Sequence, residues 1–327
     1  MMKKIETLHD ILEERFNEYR QNNLFTPAEL YDPVFYSLEN GGKRIRPILL
    51  LMGLNLFSED IESGISTAMA VEIFHNFTLL HDDVMDHSSQ RRNKPTVHKK
   101  WGVNTAILSG DAMMIMAYHF LDKGPENCLS SLMKVFNKAA LEVCEGQQLD
   151  MNFENLSSVS EEEYLEMIRL KTSVLLAASL QLGSIIGNAD QEDQENLYQF
   201  GVNLGLAFQL QDDYLDTYGD QAVFGKRIGN DILSNKKTYL LVKALEYSTG
   251  ELKDKLDFWL RAEKFDENEK IKQVTTVYDQ LSIAEMTRKK ISYFHRISLE
   301  SLRKVKVSEE KKKVLSDLAG QLIIRNK

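Results

Sequence analysis

The stretch Tyr-Leu-Glu-Met-Ile-Arg-Leu-Lys-Thr-Ser-Val-Leu-Leu, residues 164–176, decides the fold. Its apolar residues Tyr164, Met167, Ile168, Leu175 and Leu176 recur at helical spacing, and the strict alternation of a half-buried strand is missing. All five prolines (Pro27, Pro33, Pro47, Pro95 and Pro125) lie in the first 125 residues, so nothing beyond them forces a long helix to stop. The fold class is therefore all-α. Breaks are expected at Glu39 to Pro47, Asp86 to Thr96, Gly124-Pro125, Ser157 to Ser160, Gly219 to Gly229 and Gly250, which leaves about ten or more helices. Several reach about 20 residues, long enough at ~1.5 Å per residue to span a domain. That suits one domain, residues 1–327, built as a bundle around a central cavity.

Composition narrows the function. With 43% apolar and 27% charged residues the chain is an ordinary globular protein, and its net charge of −9 argues against a nucleic-acid partner. The N-terminal MMKKIETLHDILEER lacks the apolar centre of a signal peptide, and the longest apolar run, Ile48 to Phe57, is broken by Gly53 and Asn55. No transmembrane segment is expected, and the location is read as cytoplasmic. Cys128 and Cys144 are too far apart for a CxxC pair and are read as buried thiols.

Asp82, Asp83 and Asp86 fall at i, i+1 and i+4 near the end of a helix expected from Ile65. Asp212, Asp213 and Asp216 repeat that spacing 130 residues later, near the end of a helix expected over Gly201 to Tyr218. Carboxylates crowded at helix C-termini, where the macrodipole is also negative, repel unless a cation answers them. Oxygen ligands with retained water and substrate phosphates suit magnesium, whereas zinc would call for histidine or cysteine.

Basic residues complement them. Gly41-Gly42-Lys43-Arg44-Ile45-Arg46-Pro47 places cations at a helix start, where backbone N–H groups also favour an anion. Arg91 and Arg92 follow the first aspartates on a loop, and arginine can grip phosphate bidentately. Lys171-Thr172 interrupts an apolar helix and is expected to face a polar cavity. Lys226 and Lys236 lie close in sequence to the second cluster, and exposed loop lysines account for them equally.

Together GGKRIRP, EIFHNFTLLHDDVMDHSSQRRNKPTVH, the LKT of residues 170–172, GLAFQLQDDYLDTYGD and FGKRIGNDILSNKKT resemble the signatures of the trans-type isoprenyl diphosphate synthases. This is the polyprenyl synthetase family, which includes farnesyl and geranylgeranyl diphosphate synthases, and the match covers most of the chain in the family's order and spacing. The resemblance implies the isoprenoid synthase fold, three magnesium ions and a homodimer.

It also implies roles. Asp82, Asp86 and Asp212 would be direct metal ligands, with Asp83, Asp213 and Asp216 contributing or positioning water. The allylic diphosphate would be held by Arg91, Lys171, Lys226 and Lys236, and isopentenyl diphosphate by Lys43, Arg46, His75 and Arg92. Thr172 and Gln209 match positions beside the reacting carbon. His75 reads equally as a hydrogen-bonded core histidine. The chemistry implied is ionisation of the allylic C–O bond, attack by the isopentenyl double bond and proton loss, which needs no nucleophilic side chain.

In this family a bulky side chain shortly before the first aspartate floors the cavity in which the product grows. Phe77, five residues before Asp82, with Phe74 beneath it, implies fifteen or twenty carbons, and small Thr78 favours twenty. Core packing accounts for the same aromatics. Departures from the family pattern are few: the IIRNK terminus is less basic than in some members, and Gln221 stands where proline is common. The rivals are a di-iron bundle, since Glu72 to His75 and Glu6 to His9 both fit Glu-x-x-His, a terpene cyclase, and a regulatory subunit, although all six aspartates are retained.

Overall fold

The computed structural model describes residues 2–219 and 228–323. In chain order the helices are α1 Ile5–Gln21, α2 Ala28–Leu38, α3 Ile45–Phe57, α4 Ile65–Met85, α5 Val97–Trp101, α6 Val103–Leu121, α7 Leu129–Glu154, α8 Glu161–Ile168, α9 Val174–Ile186 and α10 Gln191–Tyr218. There follow α11 Asn230–Leu233, α12 Tyr239–Tyr247, α13 Gly250–Arg261, α14 Glu267–Gln280, α15 Ile283–Lys304 and α16 Glu309–Ile323. The only strands among the described residues are β1 Gln90–Arg91 and β2 Lys94–Pro95, so the chain is all-α as its periodicity requires.

Five of the six expected breaks fall between helices, and the sixth, Gly219 to Gly229, lies mostly outside the described residues. Ser160 caps α8 in a capping box with Glu163, each satisfying a backbone N–H of the other. Gly250, at φ +53°, opens α13. Three expectations change. The helix expected from Gly201 starts at Gln191, because the Asp190 carboxylate accepts the Asp193 N–H and caps it ten residues earlier. The loop expected after Asp86 contains an antiparallel hairpin, whose turn residues Arg92 and Asn93 both adopt positive φ, the backbone of a type I′ turn. Finally, Cys128 is half-buried and Cys144 exposed, so neither is the fully buried thiol expected.

The chain forms two compact units. The first comprises residues 1–138, 178–198 and 305–314. At its centre is α3, whose residues Pro47 to Leu56 are all buried, as a helix apolar on every side must be. α3 meets α9 backbone to backbone: a Cβ on Gly53 would stand 2.6 Å from the Leu180 carbonyl oxygen, and one on Gly183 would collide with that of Leu50. In the same unit α4 packs along α6.

The second unit comprises residues 139–177, 199–304 and 315–327. Its core includes Ile232, Leu240, Leu241, Leu256, Val274, Val277 and Tyr278, contributed by α11 to α14. Boundaries between the units fall inside the continuous helices α7, α9, α10 and α16. Among the described residues no helix is long and apolar enough to cross a membrane.

Candidate active site

In the first unit, the end of α4 carries Asp82, Asp83 and Asp86. Asp83 is buried, and Arg91 Nε donates to both its oxygens at 2.9 Å while Arg91 Nη2 lies 3.5 Å from Asp82 Oδ2. Burial raises the Asp83 pKa against the pull of Arg91. For Arg91, burial is outweighed by the hydrogen bonds to Asp83, and its pKa is raised. Asp82 is partly exposed and Asp86 exposed. The hairpin carrying Arg91 and Arg92 is tied down twice: Tyr36 on α2 donates to the Pro95 carbonyl at 2.8 Å, and Thr96 donates to that of Ser88 at 2.7 Å.

Beside this cluster lies a group of cations. Arg44 is buried and committed to structure, donating to Glu13 and Glu72 at 2.7 Å each and to the Leu38 carbonyl. Arg46 Nη1 stands 2.9 Å from His75 Nε2. A guanidinium can only donate, so that nitrogen accepts and the His75 proton sits on Nδ1. Burial, and then Arg46, Arg92, Arg91 and Arg44, hold the His75 pKa well below the usual histidine value. Burial and the nearby Arg92 also bring Arg46 down to about 10, and its buried Nε has no partner among the described residues. Arg92 lies over Gly42, where a Cβ would meet its guanidinium at 2.6 Å. Lys43 is exposed. Crowded guanidinium groups with an orphaned buried donor fit an anion.

In the second unit, α10 carries Asp212, Asp213 and Asp216. Asp212 is half-buried, whereas Asp213 and Asp216 are buried. Asp213 accepts from the Tyr164 hydroxyl, from Gln209 Nε2 at 3.0 Å and from the Tyr239 N–H at 3.3 Å. Burial first, then the neighbouring Asp231, push the Asp213 carboxyl up to about 7. Asp216 accepts the Asp231 N–H at 3.0 Å. Lys236 is exposed, and its charge lowers the Asp213 value. Lys226 lies outside the described residues.

Lys171 and Thr172 sit in a π-helical turn, Arg169–Ser173, between α8 and α9. Two glycines grip that turn. A Cβ on Gly146 of α7 would collide with the Lys171 backbone, and one on Gly205 of α10 would stand 2.6 Å from Ser173 Cα. Lys171 Nζ pairs with Asp150 at 2.6 Å, and the Thr172 hydroxyl donates to Gln209 Oε1 at 3.1 Å.

One turn and more before Asp82, Phe77 is half-buried with its ring centroid 5.6 Å from that of fully buried Phe74. Phe74 in turn meets Phe136 of α7 at 5.3 Å. The Thr78 hydroxyl is spent on the His75 carbonyl of its own helix at 2.8 Å.

Sequence reading missed Glu72 as the partner of Arg44, and missed Asp150, Gly146 and Tyr164. The signal for Asp150 was available in Gly146-Gln-Gln-Leu-Asp150, a small residue and an acid one turn apart on the helix. Glu72 and His75 form no metal pair. Glu72 accepts from Arg44 and Asn76, and His75 faces Arg46. Among the described residues no three of His, Cys, Asp and Glu gather as a cage for a metal. Magnesium rarely needs one, since it keeps waters and phosphate oxygens and takes one or two carboxylates. Asp82 and Asp212, partly exposed, and Asp86, exposed, fit that donor set.

An all-α fold with aspartate triplets at helix ends and a cluster of arginines beside the first of them places the chain in the class of α-helical isoprenyl diphosphate synthases. It belongs to the polyprenyl synthetase family, whose model matches residues 27–278. It is 36% identical to the geranylgeranyl diphosphate synthase of Saccharolobus solfataricus, over 96% of this chain and 94% of that one. It is 43% identical to the short chain isoprenyl diphosphate synthase of Methanocaldococcus jannaschii, over 70% of each. Among solved structures, a geranylgeranyl pyrophosphate synthase superposes with a TM-score of 0.94 at 44% identity, covering all of both chains.

Proposed function

We propose that this trans-prenyltransferase condenses isopentenyl diphosphate with an allylic diphosphate, dimethylallyl, geranyl or farnesyl, and that its product is geranylgeranyl diphosphate, with farnesyl diphosphate the next candidate. The observation that carries the reading is the arginine cluster beside the first aspartate triplet, with Arg46 Nε buried and without a partner among the described residues. The names of the relatives at 36% and 43% identity support the same chemistry.

Isopentenyl diphosphate binds among these cations, held by Lys43, Arg46 and Arg92, with neutral His75 orienting Arg46. Asp82, Asp86 and Asp212 hold magnesium, three ions in all, and Asp83, Asp213 and Asp216 act behind them. Bound magnesium supplies charge neutralisation of the leaving diphosphate. Arg91, Lys171, Lys226 and Lys236 add positive charge to that diphosphate, and Thr172 and Gln209 turn oxygen dipoles toward the allylic carbon. Phe77 floors the growing chain over Phe74.

We also propose one catalytic domain, in the cytoplasm, working as a homodimer. The dimer is supported by the outer face of α6, where Leu108 and Ile115 are 59% and 69% exposed beside Val103 and Ile107.

Incubation of labelled isopentenyl diphosphate with magnesium and each allylic starter tests the reading, with dephosphorylated products separated by chain length. A twenty-carbon product is expected, and Phe77→Ala lengthens it. Absence of any condensed product with every starter sinks the function; an unchanged length in the variant sinks only the floor.

A further inference from the structure

We propose that Tyr164 and Asp213 are positioning residues that fix the polarity of the Gln209 amide and, through it, of the Thr172 hydroxyl. The inference rests on the reading above, in which Thr172 and Gln209 stand beside the reacting carbon.

Three donors converge on Asp213. Oδ2 accepts from the Tyr164 hydroxyl and from the Tyr239 N–H at 3.3 Å, and Oδ1 accepts from Gln209 Nε2 at 3.0 Å. Tyr164 and Asp213 are only 1% and 5% exposed, so water offers these groups little competition. A backbone N–H can only donate, so with the Tyr239 N–H on it Asp213 meets its partners as an acceptor. Standing one helical turn from Gln209, at i and i+4, it therefore selects the NH₂ side of that amide.

The amide is planar, so its oxygen points away from Asp213. There it accepts the Thr172 hydroxyl at 3.1 Å. A threonine hydroxyl has one proton, and once that proton is given to Gln209 the oxygen has only lone pairs to offer elsewhere. Lone pairs stabilise an allylic carbon gaining positive charge. A reversed amide would present NH₂ to Thr172 and release its proton toward the same carbon, which is the wrong sign. The chain Tyr164, Asp213, Gln209, Thr172 thus preorganises a dipole before ionisation, and the π turn gripped by Gly146 and Gly205 holds Thr172 in place to receive it.

The oxygens of Asp213 are engaged by protein donors, so it acts on the reaction through Gln209.

Tyr164→Phe, Thr172→Val and the double variant test this in a thermodynamic cycle on the single-turnover condensation rate. Tyr164→Phe is expected to slow that step roughly tenfold, the size of one hydrogen bond to a charged group. KM for both diphosphates and half-saturation by magnesium should stay as in the wild type. In the Thr172→Val background, where there is no hydroxyl to orient, adding Tyr164→Phe should cost little more. Asp213→Asn is the second probe, because an amide side chain cannot accept from all three donors. It should lose rate with a smaller change in magnesium half-saturation than Asp212→Asn causes.

A wild-type rate in Tyr164→Phe, fully additive losses in the double variant, or a magnesium shift in Asp213→Asn equal to that of Asp212→Asn overturns the relay. A wild type inactive with every starter overturns the functional reading instead. Circular dichroism on each variant establishes that the comparison is made between folded proteins.

Discussion

Gly42 shows how one missing side chain shapes a binding site. At φ +133° it holds a backbone that other residues rarely adopt, and the space its Cβ would fill belongs to the Arg92 guanidinium. Gly42→Ala must displace Arg92 and strain the turn before α3. KM for isopentenyl diphosphate is expected to rise about tenfold, the worth of one charge-assisted hydrogen bond, with KM for the allylic substrate nearly unchanged. Steady-state kinetics varying each substrate in turn check this, and equal changes in both constants refute it. His75 belongs to the same scale. Burial and the surrounding arginines hold its pKa well below the ordinary histidine value of about 6.5, so protonation favours the unfolded chain. Its stabilising contribution is complete above the unfolded value and is lost as pH falls through 6.5, at up to ~1.4 kcal/mol per pH unit. Urea denaturation of the ligand-free protein between pH 7.5 and 5.5 should show that loss, and His75→Gln should flatten it. A variant with the same slope as the wild type rules His75 out as its source.

At the scale of elements, the π turn at Arg169–Ser173 matters most for the site, and helical periodicity gave no sign of it. A sequence reading sees Lys171 interrupting an apolar helix; it does not see that Gly146 and Gly205 bring two other helices against that backbone. Gly146→Ala should destabilise the protein by about 1–3 kcal/mol, since backbone cannot yield as a side-chain tip can. Among the described residues nothing lies within 4 Å of where a Cβ on Gly320 in α16 would stand, so Gly320→Ala should instead stabilise by about 0.5–1 kcal/mol. Chemical denaturation of both variants provides the comparison, and matching signs contradict it. The hairpin at Arg91 was equally hidden. Gln90–Arg91 and Lys94–Pro95 are too short to show alternation, and only the two positive φ values at Arg92 and Asn93 reveal the turn. By contrast, α4 was legible from its start at Ile65 because a 21-residue helix accumulates enough periodic signal.

For the molecule as a whole, the proposed homodimer makes the most direct demand. Leu108 and Ile115 lie seven residues apart on α6, on one face of the helix, and large apolar side chains held in water favour a second copy of the same surface. The double substitution Leu108→Asp and Ile115→Asp should shift the protein from dimer to monomer in light scattering at micromolar concentration while leaving its helical content intact. A wild type that is already monomeric removes the basis for the proposal.

The sequence alone determined the all-α class, the start of α4, the two aspartate triplets and the family, since periodicity, proline placement and motif spacing are properties of the chain read in order. Tertiary structure decided how like residues divide their work. Within Lys43-Arg44-Ile45-Arg46, Arg44 is consumed by Glu13 and Glu72, 31 and 28 residues away, while Arg46 keeps a buried donor that no described residue meets. Asp83 is claimed by Arg91, and Asp213 by Tyr164, 49 residues distant. A carboxylate's role depends on which donors reach it, and those donors arrive only when the chain has folded.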